Sequence, residues 1–149
     1  MNIFIGSDHA GFELKQKLAG FLSEKNNFDF SVEIKDFGAH DSSSVDYPDF
    51  ANLVAQELKR HTDAFGVLVC GSGQGMAMRA NKFEHVRAAL VYNSEIAKLS
   101  REHNDANIIC LGSRFCTIEQ SQEWIKLFLT TPFAGGRHAT RVAKVCGPV

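Results

Sequence analysis

Gly66-Val67-Leu68-Val69-Cys70-Gly71-Ser72-Gly73-Gln74-Gly75-Met76 joins a continuous apolar run to a loop with glycine at alternate positions, and a helical pattern follows to about Asn81. An apolar run without alternation reads as a strand buried on both faces, the kind found in parallel sheets covered by helices. The alternate glycines let the backbone approach a ligand closely, and the helix start behind them presents unpaired N–H groups that favour negative charge. The same field favours the thiolate form of Cys70. The competing reading makes Cys70 only the last buried residue of its strand, a common place for cysteine.

Working outward, the strand-then-helix unit recurs. Asn2 to Ser7 is a compact apolar run ending in Gly6-Ser7-Asp8-His9, and Phe12 to Lys25 then places Leu14, Leu18, Phe21 and Leu22 on one helical face. Val32 to Phe37 is β-rich and is followed by a serine turn at 42–44; a helix starts at Tyr47, with Pro48 in its first turn and Phe50, Val54 and Leu58 on one face. Val86 to Val91 with Ser94 to His103, and Ile108 to Leu111 with Thr117 to Leu129, complete five units. Five in succession predict an α/β fold with a five-stranded parallel sheet. A doubly wound strand order of 2-1-3-4-5 puts the ligand crevice between the first and third strands, where Asp8-His9 and Cys70-Gly71-Ser72-Gly73 end. Thr130 to Val149 reads as a loop and a short terminal helix packed on the outside or on another subunit.

The 149 residues, 44% apolar and 22% charged, suit one domain with a single core. A net charge of −1 gives no global attraction to nucleic acid or to an anionic membrane. The N-terminus does not resemble a secretory signal, and no apolar run approaches the roughly 18 residues of a membrane span. Cysteines 70, 110, 116 and 146 form no C-x-x-C pair, so a reducing, cytoplasmic setting is expected.

The letters of the glycine loop exclude several chemistries. G-x-G-x-G is not the dinucleotide pattern G-x-G-x-x-G, no lysine completes a P-loop, and Met76 stands where a thiol phosphatase loop would need arginine. Scattered histidines without H-x-x-x-H spacing predict no metal. Asp8-His9 reads either as a ligand pair or as a helix N-cap beside an exposed histidine. His103 ends the fourth helix on the face of Ile96 and Leu99; its ring exchanges protons near neutral pH, although a histidine there is often only a dipole partner. Arg137 and Arg141, four apart and with no acidic residue after Glu123, share a helix face and form a candidate anion grip.

Gly6-Ser7-Asp8-His9-Ala10-Gly11, Asp46-Tyr47-Pro48-Asp49, Cys70 to Met76, His103-Asn104-Asp105-Ala106-Asn107 and Gly136-Arg137-His138 through Arg141 together resemble the type B ribose-5-phosphate isomerase and galactose-6-phosphate isomerase family. Many family members carry threonine where Ser72 stands, which keeps the hydroxyl. The resemblance implies a Rossmann-like three-layer α/β/α sandwich with a C-terminal helical extension, forming one sugar-phosphate isomerase domain over residues 1–149. It also implies an aldose–ketose isomerase with neither metal nor cofactor, acting on a small sugar phosphate. A homodimer, sometimes paired into a tetramer, would hold active sites at the subunit interface.

Moving a carbonyl between C1 and C2 needs a base to carry a carbon-bound proton and a stabilised enediolate between. By resemblance Cys70 is that base, Ser72 relays protons between the oxygens, and Gly71, Gly73 and Gly75 frame the oxyanion. His103 opens the sugar ring, Asp8 and Tyr47 face sugar oxygens, and Asn104 positions the substrate. His9, Arg114, Arg137 and Arg141 bind phosphate, with His138 a further candidate. Interconversion of D-ribose 5-phosphate and D-ribulose 5-phosphate is the leading expectation. A six-carbon sugar phosphate or a noncatalytic sugar-phosphate- or nucleotide-binding module are the alternatives.

Overall fold

The computed structural model describes residues 1–147, so the last two residues of the expected tail, Pro148 and Val149, lie outside the described residues. In chain order the elements are β1 (Asn2–Ser7), α1 (Phe12–Ser23), β2 (Glu33–Asp36), α2 (Tyr47–Arg60), β3 (Phe65–Cys70), α3 (Gln74–Ala80), β4 (Ala88–Leu90), α4 (Ser94–Glu102), β5 (Ile108–Gly112), α5 (Ile118–Thr130) and α6 (Arg137–Val145). All strand pairs are parallel, in the order β2-β1-β3-β5-β4. The crevice between β1 and β3 is where the sequence puts it, but the outer strands are exchanged relative to the expected 2-1-3-4-5. The reason lies in composition. Every residue of Ile-Ile-Cys-Leu-Gly in β5 is buried, whereas the three residues of β4 are only half-buried. A strand apolar on both faces takes the interior position and the short one takes the edge.

Two cores sandwich the sheet. On one face Ile3, Ile5, Val67, Val69, Ile109 and Leu111 meet apolar residues of α1 and α5 and Ala97 of α4. On the other, Phe4, Leu68, Cys70, Ile108 and Cys110 meet α2 and α3. The alternation within each strand therefore sends Cys70 toward α3, and the three-layer α/β/α architecture follows. Helix α4 departs from expectation. Its buried side is Ala97, Ser100 and Arg101, while Ile96 and Leu99 are half-exposed. Arg101 turns inward because its guanidinium lies over the rings of Phe65 and Phe128 and bonds to Asp105 and the Ala106 carbonyl.

One buried charge anchors the start of the site. Lys15 has no exposure and its ammonium donates to both carboxylate oxygens of Asp36 at 2.6 Å. Asp36 also accepts the Gly38 N–H at 2.8 Å. The Gly38 carbonyl in turn accepts from Ser7 N–H at 2.6 Å, holding the end of β1. Asp36→Asn would leave a buried ammonium without its counter-charge, and urea unfolding should show a loss of about 3–5 kcal/mol. A loss under about 1 kcal/mol, the level of an exposed pair, would contradict this account.

Candidate active site

The carboxyl ends of β1, β3 and β5 are stitched together by backbone. Asp8 N–H donates to the Val69 carbonyl at 3.2 Å, Ser113 N–H to Cys70 at 2.9 Å, and Arg114 N–H to Gly71 at 3.2 Å. Ser113 Oγ donates to the Ala10 carbonyl at 2.8 Å. This convergence needs glycine at two points. A Cβ on Gly11 would run into the Val69 carbonyl, and Gly73 sits at φ +76° against Leu90 and the backbone of Leu111 and Gly112.

Around that knot stand the first group of expected site residues. Cys70 is 5% exposed, and its sulfur accepts the Gly73 N–H at 3.1 Å. Its strand neighbour Cys110 is wholly buried, and burial together with the nearby Cys70 pushes its thiol well up, so it stays protonated. Ser72 is exposed at the mouth, with the Gln74 N–H 3.4 Å from its oxygen. The N–H groups of Gly75 and Met76 fall in the first turn of α3, where no helical carbonyl can accept them.

Asp8 is 7% exposed and accepts the Gly11 N–H at 2.9 Å, so it holds the turn into α1 at the carboxyl end of β1. His9 is exposed, its Nδ1 accepting the Val45 N–H at 3.3 Å. The Tyr47 ring lies directly on Gly75; a Cβ there would be 2.9 Å from its hydroxyl. The Arg114 guanidinium lies over Gly71, 3.3 Å from where a Cβ would stand. Asp8, His9, Tyr47, Cys70, Gly71, Ser72, Gly73, Gly75 and Arg114 therefore share one end of the sheet.

His103, Asn104, Arg137 and Arg141 do not. His103 caps α4, which runs back against the strands, and the loop after it enters β5 at its amino end. There the Asn107 carbonyl accepts the N–H of Gly66. Cys70 pairs with Gly112 at the opposite end of the same two strands, roughly 13 Å away along their axis. The second group holds together on its own. The rings of His103 and His138 stack at 4.2 Å, Ala134 N–H donates to the Glu102 carbonyl at 3.0 Å, and Asn104 and Arg141 line one cavity of about 420 Å³.

What sequence reading missed is the clamp that presents this second group. Asp105 has φ +46° and its carboxylate joins Arg101 at 2.9 Å and Arg87 at 3.1 Å; the Arg87 Nε also donates to its carbonyl. The i,i+4 spacing of Arg101 and Asp105 was a signal available in the letters. Arg87, eighteen residues upstream, left none.

A family profile described as Ribose/Galactose Isomerase matches residues 3–145. The chain belongs to that family. It is 43% identical over 145 residues to a probable ribose-5-phosphate isomerase B of Mycoplasma genitalium, covering 97% of this chain and 93% of the relative. Among solved structures it resembles the Clostridium thermocellum ribose-5-phosphate isomerase B at 44% identity and a TM-score of 0.92, covering 98% and 95% of the two chains. The Mycoplasma genitalium enzyme with bound ribulose-5-phosphate matches at 43% identity and a TM-score of 0.89, covering 97% and 93%. The chain is accordingly an isomerase with the α/β fold of these enzymes. No helix among the described residues is long and apolar enough to cross a membrane.

Proposed function

We propose that one domain of this chain interconverts D-ribose 5-phosphate and D-ribulose 5-phosphate through an enediolate, with Cys70 as the base and a second copy of the chain completing each site. The observation that carries the chemistry is the Cys70 sulfur held by the Gly73 N–H at the rim of the crevice. A thiolate there takes the C2 proton of the open-chain aldose and returns it to C1. Negative charge gathers meanwhile on O1 and O2, which the loop N–H groups and Ser72 receive; Ser72 passes the hydroxyl proton between them. Asp8 and Tyr47 orient the sugar hydroxyls, and His9 and Arg114 take part of the phosphate charge.

The ring must open first, which needs an acid for the ring oxygen and a base for the O1 proton; His103 is assigned this step, Asn104 positions the sugar, and Arg137 and Arg141 grip the phosphate. Within one chain the intervening strands keep these groups from Cys70. A twofold dimer would bring the His103 end of one copy to the Cys70 end of the other. Exposed Leu53 and Met78 on α2 and α3, with the exposed Tyr47, supply apolar surface for that contact. Cytoplasmic sugar metabolism, as in the pentose phosphate pathway, fits this reading.

A coupled assay over pentose and hexose phosphates tests it. Ribose 5-phosphate should turn over with the largest kcat/KM, exceeding galactose 6-phosphate and allose 6-phosphate by at least about tenfold. Faster turnover of a six-carbon phosphate would reassign the substrate, and tight ligand binding with no turnover of any sugar would overturn the catalytic reading.

A further inference from the structure

His138, named above only as a further phosphate candidate, stacks its ring on that of His103. Their rings are 8° from parallel with centroids 4.2 Å apart, one at the end of α4 and the other in the first turn of α6. The charged groups around the pair are Glu102 on α4 and Arg137 and Arg141 on α6. Desolvation first, then the positive charges of His103, Arg137 and Arg141, hold His138 below the ordinary histidine range; Glu102 opposes them. Two imidazolium rings at this separation would repel, so positive charge on His103 disfavours a proton on His138.

We propose that His138 is a positioning residue for His103: its ring, stacked face to face, sets the plane of the ring-opening imidazole. This rests on the reading of His103 as the ring-opening group. Both rings come from one chain, so the pair would be delivered intact to the site of a neighbouring copy.

Ring opening can be separated from enolisation by substrate chemistry. Ribulose 5-phosphate has its C5 hydroxyl esterified, cannot close a five-membered ring from its C2 ketone, and exchanges a C1 proton with solvent through the enediolate alone. Net turnover of ribose 5-phosphate and deuterium wash-in at C1 of ribulose 5-phosphate in D2O should be measured for the intact His138→Ala, His138→Phe and His103→Asn proteins. His138→Ala is expected to lose turnover about tenfold or more while wash-in falls by less than about threefold. His138→Phe keeps a flat ring in the stack and should recover most of the turnover.

Equal loss of both rates in His138→Ala, or unchanged turnover, overturns the proposal. Should that variant not fold, a His138→Phe protein that loses turnover and wash-in to the same extent overturns it equally. His103→Asn serves as the reference: if it loses wash-in and turnover together, the ring-opening reading itself fails. If it separates them and His138→Ala does not, only the role of His138 fails.

Discussion

Cys70→Ala is expected to abolish both isomerisation and C1 proton exchange while ribulose 5-phosphate still binds. No second thiol can replace the assigned one. Cys110 packs in the same core, but it is fully buried and held protonated, so it cannot take over as a base. Loss of a positioned general base lowers the rate by about 10²–10⁴-fold. Affinity should change little, because the assigned phosphate and hydroxyl contacts come from other residues. Calorimetric titration with ribulose 5-phosphate, alongside the coupled assay, checks both halves. Normal turnover in Cys70→Ala would remove the central assignment; lost binding would show that the substitution disturbed the loop instead.

The second large effect is recovery rather than loss. Cys70→Ala and His103→Asn chains, each without turnover when alone, should regain activity when unfolded together and refolded as a mixture. If each site takes Cys70 from one copy and His103 from the other, a mixed dimer carries one site with both defects and one with neither. Random pairing makes half of the dimers mixed, so the plateau should be about a quarter of the unmutated activity. A site closed within a single chain predicts no recovery. The roughly 13 Å between the two ends of β3 and β5 makes the first outcome the expected one.

Much of the fold is legible in particular residues. The apolar runs ending at Ser7 and Cys70 mark the two strands that flank the crevice, and leucines at 14, 18 and 22 mark the inner face of α1. Helix α4 was less legible, because apolar periodicity points to Ile96 and Leu99 whereas the buried face carries Arg101. Periodicity ranks side chains by polarity and cannot register a guanidinium that finds two aromatic rings, a carboxylate and a carbonyl in the interior. Lys15 is hidden for the same reason. It occupies the inner face of α1 only because Asp36, on another element, supplies its charge partner.

By itself the sequence determined which chemistry-bearing residues exist and which ends of strands and helices carry them, since hydrophobic runs, glycine spacing and helix starts are local properties of the chain. The tertiary structure alone decided the exchange of β4 and β5, the bond of Arg87 to Asp105, the stack of His103 on His138, and the division of the expected site between two ends of the sheet. Each of these depends on which distant segments become neighbours when two apolar faces are covered at once. That competition among strands and helices for the interior has no local signature.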